Sequence, residues 1–236
     1  MAKQANMYYK GRVGKLIYYE LNGSFYIRSL PEKVNQTAAT KSRSSNLAVA
    51  SKAGSILRGL LAPAISPFND KHMQNMFAGA IMKWLKQNNV EQLQPTANLP
   101  YLQYFQFNNR CSLTERCKIP ITVTKVNDIQ IEIGLPAFTP IKSITAPAHT
   151  ISVECIVTAA SCALKTRKAN GSDTTQFTIP YTTDLVPSTL LSLTLPMNGG
   201  DLVLVTMALK YTIGDGYSKS NNLLFMPCGI VSAMYV

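Results

Sequence analysis

The 236-residue chain carries 23 Lys and Arg against 12 Asp and Glu, a formal net charge of +11, yet only 15% of its residues are charged while 46% are hydrophobic. That is ample apolar material for one large or two small domains. It leaves no run near the ~18 to 20 apolar residues of a membrane span, and the first residues lack the apolar core and cleavage site of a signal peptide.

A cytoplasmic location, or export by a route needing no such signal, is expected. The basic excess is uneven: Met1 to Leu60 hold ten Lys or Arg and two acids, whereas Ile119 to Val236 hold seven of each. An electrostatic partner therefore belongs with the N-terminal part. Five cysteines (Cys111, Cys117, Cys155, Cys162, Cys228) form no C-x-x-C pair, so free thiols are expected.

Along the chain, Val13–Glu20 and Ser24–Leu30 are rich in Tyr, Ile and Phe and flank Asn22-Gly23, a strong hairpin signal. Pro31 should end the second strand, since it has no amide hydrogen for the ladder. From about Thr37, residues Val49, Ala53, Ile56, Leu57 and Leu60 recur at helical spacing up to Pro63 and Pro67. A second helix is expected from an N-cap at Asp70, with Met73, Met76, Phe77, Ala80, Ile81, Trp84 and Leu85 on one face and Asn88-Asn89 at its end. That face reads as core rather than as a partner-binding stripe.

Residues 94–118 hold Tyr101, Tyr104, Phe105 and Phe107 without a sustained period, as a packed connection would. Thereafter the period becomes two. Strands are expected at 119–126, 129–133 (Ile129, Ile131 and Ile133 inward), 150–157, 175–181, 189–195, 201–213 and 229–236. The fold class is α+β: an N-terminal β-hairpin plus two helices, followed by an all-β immunoglobulin-like sandwich. The corresponding organisation is a basic hairpin and helical region over 1–100, a linker over 101–118, and a β-sandwich domain over 119–236.

Phosphate-binding, dinucleotide and nucleophile-elbow motifs are absent from the sequence. The two histidines, His72 and His149, stand at no spacing that suits a nucleophile's base. Asp128, Asp201 and Asp215 lie beside Asn or Gly and Asp173 two residues after Gly171, so all four are expected in turns, and Asn170-Gly171 also reads as a turn. No catalytic residue, cofactor site or metal site is expected. The remaining candidates are contacts. Lys10, Arg12, Lys15, Arg28, Lys33, Lys41 and Lys52 form the candidate set for an anion or nucleic acid, with nearby tyrosines for stacking. The uncharged, proline-free stretch Ile230, Ser232, Met234, Val236 is the candidate subunit contact if the last strand lies at a sheet edge rather than between two strands of its own sheet.

Gly14-Lys15-Leu16-Ile17-Tyr18-Tyr19-Glu20-Leu21-Asn22-Gly23, Arg28-Ser29, Val34-Asn35-Gln36-Thr37 with Ala48 to Leu57, Ile133 to Phe138 and Phe225-Met226-Pro227 together resemble an uncharacterised family of bacteroidete hypothetical proteins. Its members open with a G-x-x-x-Y-x-x-x-G-x-x-x-x-R type of hairpin; this chain has Lys15 where they often have Asn. The resemblance implies a bacterial, non-secreted protein with no known cofactor and no activity to transfer to any residue. The expected function is that of a non-enzymatic structural or interaction protein, a homo-oligomer subunit, with nucleic-acid binding as the alternative.

Overall fold

A computed structural model of the chain describes residues 3–5, 8–30, 37–68, 71–87, 94–97, 99–214, 218–219 and 223–236. These residues form helices and three antiparallel sheets. They divide into two compact units, Met1–Ser42 and Arg43–Val236.

The first unit is a meander in the order β1 (Lys3–Ala5), β2 (Tyr8–Val13), β3 (Leu16–Leu21), β4 (Ser24–Ser29). The expected hairpin is β3–β4. Asn22 and Gly23 both have positive φ, 52° and 77°, as a type I′ turn requires. Two further strands precede it, and Gly14, at φ 57°, opens the two-residue turn that joins β2 to β3. Pro31 and Lys33 lie outside the described residues.

Helix α1 (Ala38–Leu60) starts where the Thr40 amide donates to Thr37 Oγ1 at 3.2 Å, satisfying one of the unpaired amides of a first turn. In the second unit its buried Val49, Ala53 and Leu57 meet α2 (Ala62–Ile65) and the expected stripe of α3 (Lys71–Gln87), except that Met76 is 39% exposed. Asp70 and Asn88-Asn89 lie outside the described residues.

The rest of the second unit comprises β5 (Thr96–Ala97), α4 (Leu113–Arg116), β6 (Thr122–Asn127), β7 (Gln130–Leu135), α5 (Pro140–Ser143), β8 (Thr150–Ala163), β9 (Lys168–Pro180), β10 (Thr189–Thr194), β11 (Asp201–Ile213), β12 (Ser218–Lys219) and β13 (Cys228–Tyr235). One sheet runs β5-β13-β11-β8-β9, with β12 also on β11; a smaller one runs β10-β7-β6. Side chains alternate across a strand, and both faces of β11 are covered. Leu202, Leu204 and Ala208 join the core beneath the helices, while Val203, Val205, Met207, Leu209 and Tyr211 join the core beneath the small sheet. Strand β8 divides likewise, Ile156, Ala160 and Cys162 against Val153, Cys155, Val157 and Ala159.

The unit is thus three layers deep: helices, large sheet, small sheet. The β region expected over 119–236 supplies two facing antiparallel sheets, but its larger sheet lacks the solvated outer face that a two-layer sandwich usually keeps. Nor do residues 101–118 separate two domains. Leu99, Leu102 and Phe107 are buried in the helix-side core, and Phe77, Phe105 and Phe107 meet with ring centroids 5.2–5.3 Å apart.

Several local expectations are corrected. Ile129 sits in the β6–β7 turn and is 58% exposed, unlike buried Ile131 and Ile133. Asn170-Gly171 is no turn. Ser161 pairs with Gly171 and Cys162 with Ala169, so Asn170 bulges out of β9 and its side chain donates to Asp201 Oδ2 at 2.5 Å. Asp173 likewise lies inside β9, where its carboxylate accepts from the Thr194 amide at 2.7 Å and ties β9 to β10.

Candidate interaction surface

In the first unit, side chains that favour strands form a sheet that, among the described residues, has no second layer of its own. Every residue of β4 is exposed, as are Tyr9, Val13, Leu16, Tyr19 and Leu21. The largest exposures are Ile27 at 62% and Leu21 at 55%. Cross-strand partners share a face. The pairings Arg12 with Ile17, Ile17 with Arg28, and Tyr19 with Tyr26 therefore define one face. Val13 with Leu16 and Tyr18 with Ile27 define the other. Both faces are apolar; the first is also basic.

On the basic face Tyr19 stacks on Tyr26, with centroids 5.6 Å apart and planes 24° from parallel, and the Arg28 guanidinium lies 5.8 Å from the Tyr19 centroid. Such exposed cation–π contacts are worth about 0.5–1 kcal/mol. Arg12 Nε donates to the Gly14 carbonyl at 2.9 Å, which orients its side chain along the β2–β3 turn. Lys15 occupies that turn, its carbonyl accepting from the Leu30 amide at 2.6 Å. Lys10 pairs with Glu20 at 3.5 Å with both side chains well exposed, a geometry that adds little stability. Lys41 and Lys52 are exposed on α1, a helix, and so take no part in the strand register that brings Arg12 and Arg28 together. The positions of Arg12 and Arg28 on either side of Ile17 were not read from the sequence. Their signal is the spacing of two two-residue turns, Gly14-Lys15 and Asn22-Gly23, which fixes the register of three strands.

The second candidate contact, the end of β13, is enclosed. It pairs with β11 on one side and, at Met234 and Tyr235, with β5 on the other. Beyond β5 the same edge is taken by residues 99–107: Leu99 N donates to Ala233 O at 3.0 Å, Tyr104 N to Ile230 O at 3.1 Å, and Ile230 N to Phe105 O at 2.8 Å. Gln103 bridges the remaining gap, its Nε2 donating to Val231 O and its Oε1 accepting from Ala233 N. Nor do Ile230, Ser232, Met234 and Val236 share a face. Thr206 pairs with Ile230 but Val205 with Ser232, so Val231 is a bulge that reverses the alternation. Ile230 joins the helix-side core and Met234 the other.

The remaining reactive groups are dispersed. His72 is exposed at a cavity of ≈ 280 Å³ lined also by Asn108, Asn109 and Arg110; His149 is exposed in a turn. A cavity of ≈ 390 Å³ lies among Leu113, Cys117, Ile119, Ile121, Gln103 and Val231. Asp201 is buried and holds the chain together: it accepts from Asn198 N at 2.6 Å and from Ser161 Oγ at 3.3 Å as well as from Asn170. Burial raises all five thiols above their ordinary range, Cys162 to about 11 with a contribution from Asp201. Such thiols are poor nucleophiles and poor metal ligands. Among the described residues no three His, Cys, Asp or Glu side chains gather as a metal would need, and no helix is long and apolar enough to cross a membrane.

No protein-family model, curated protein or solved structure matches this chain.

Proposed function

We propose that this chain is a non-enzymatic structural or interaction protein that works as a subunit of a homomeric assembly. One observation carries the reading: residues 9–29 of the four-stranded sheet expose aromatic and aliphatic side chains on both faces. Contiguous exposed apolar surface marks interaction sites, and small sheets owe their stability to a hydrophobic face or to packing against another element. In this reading the sheet is the assembling element and the 43–236 unit is the body it serves. The immunoglobulin-like character expected of the β region is part of this proposal and is supported by its two facing antiparallel sheets. The resemblance to bacteroidete proteins belongs to the same proposal and adds no activity. Light scattering on eluting protein over a hundredfold concentration range tests it. A mass of two or more chains is expected, falling to one chain on Tyr18→Asp with Tyr19→Asp. A single chain at the highest concentration overturns the proposal.

A second reading, nucleic-acid binding, is favoured by the Arg12, Tyr19, Tyr26, Arg28 face, because guanidinium groups beside stacked rings suit a single-stranded polyanion. It predicts binding of a labelled oligonucleotide that weakens steeply with salt and is lost in Arg12→Glu with Arg28→Glu. Weak, mutation-insensitive binding removes it.

A further inference from the structure

We infer that two copies of this chain pair antiparallel along β4, about a two-fold axis through Ile27, to make one continuous eight-stranded sheet. This rests on the assembly reading above and specifies its geometry.

The backbone groups of β4 that face β3 decide what its outer edge can bind. The Leu30 amide donates to the Lys15 carbonyl, and Ser24 pairs with Leu21 across the two-residue turn. Hydrogen-bonded positions alternate along an antiparallel strand, so Ser24, Tyr26 and Arg28 turn their amides and carbonyls toward β3. Ile27 and Ser29 turn theirs the other way. Among the described residues β4 ends its sheet, and it carries neither lysine nor proline, two of the devices that usually blunt an exposed edge. The opposite edge, β1, is three residues long, so among the described residues the sheet has one edge of useful length, and its pairing closes at two copies.

Symmetry then restricts the register. A two-fold axis that lays β4 beside its copy must stand normal to the sheet, and it maps each face onto itself. Residue numbers facing each other then sum to an even number. Of the even registers, the one centred on Ile27 places the outward amide and carbonyl of Ile27 against those of Ile27 of the partner subunit. It also places Tyr26 opposite Arg28 of the partner subunit, and the reverse. No arginine faces an arginine. The ring of Tyr26 already stacks on Tyr19, over which the chain's own Arg28 lies, so the seam continues an alternation of guanidinium and ring across both copies. On the other face Ile27 packs on its twin. A strand of unrelated sequence could bond to this edge, but a second copy satisfies edge, register and charge together.

Two variants test this. Ile27→Pro removes only an outward amide, and proline is tolerated on edge strands whose N–H faces away from the ladder. It is expected to keep the circular dichroism spectrum and to elute at the mass of one chain. Ile27→Cys puts two thiols at a pair whose Cα atoms lie about 5.5 Å apart, within disulfide reach. Mild oxidation should link more than half the chains into reducible dimers, whereas Leu21→Cys, on β3, should link no more than wild type. Absence of the Ile27→Cys link overturns the β4 seam, and so does an Ile27→Pro protein that folds and stays assembled; in either case an assembled wild type leaves the broader reading standing. A wild type that is a single chain at every concentration removes both. Should Ile27→Pro fail to fold, the cross-link alone decides.

Discussion

Residues 9–29 and residues 43–236 spend similar side chains in opposite ways. The sheet of the first unit shows Tyr, Ile, Leu and Phe to its surroundings on both faces. In the second unit the same residue types fill two cores on either side of β8 and β11, and Leu57, Phe77, Ile133, Leu204 and Tyr211 are all close to fully buried. Apolar composition alone therefore says little about stability; what counts is whether the chain supplies the second surface. The 43–236 unit supplies its own, whereas among the described residues of the first unit no second layer packs on the sheet.

The largest effect that would sharpen this contrast comes from charging the middle of the large sheet. Leu204→Asp places a carboxylate, with no partner, in the helix-side core of β11, at a cost of several kcal/mol. Loss of the cooperative urea transition, or recovery only in the insoluble fraction, is expected. A smaller effect follows from Asp201→Ala, which deprives the Asn198 amide, the Asn170 side chain and the Ser161 hydroxyl of their common acceptor. The urea midpoint should fall by the equivalent of about 3 kcal/mol with an unchanged slope. The smallest effect is the one that most directly tests the comparison. Tyr19→Ala removes an exposed ring of the first sheet, and the main unfolding transition, followed by the fluorescence of buried Trp84, should move by no more than about 0.5 kcal/mol. A shift as large as that of Asp201→Ala would mean that the two regions do not differ as described.

Much of this architecture was readable from residue patterns where local chemistry has one meaning. Asn22-Gly23 announces a type I′ hairpin because both residues accept positive φ, and the stripe Met73, Phe77, Ile81, Trp84 has a helical period and buries accordingly. The limits of β11 were read correctly because Asp201 to Ile213 is apolar almost throughout. Where one local pattern has two meanings, tertiary context decided. Asn170-Gly171 serves a bulge as well as a turn, and the bulge won because Asp201, 31 residues away, captures the Asn170 side chain. Strand β8 runs past Val157 through Thr158 to Ala163, small residues of modest strand preference that are held by their register with β11 and β9. Strands β1 and β2 were missed because Lys3 to Val13 shows no alternation. At β13 the alternation was real in sequence but broken in space by Val231, and only the pairing with Val205 and Thr206 reveals it. The face of Arg12, Tyr19, Tyr26 and Arg28 was partly legible as basic and aromatic residues; its geometry required the register.

The central place of β11 and β13 also governs the order of events during synthesis. Helices α1 and α3 are made first, but much of the surface they cover consists of β8, β11 and β13 side chains. The Cys228 thiol that donates to the Ala64 carbonyl lies 164 residues further along, and the Ala233 amide bonded to Gln103 lies 130 residues beyond it. Contacts this distant close slowly. Until β13 is threaded between β11 and residues 96–97 and 99–107, the apolar face of α3 is only partly covered, so a nascent chain halted before residue 228 would present part of that stripe to chaperones rather than a finished domain.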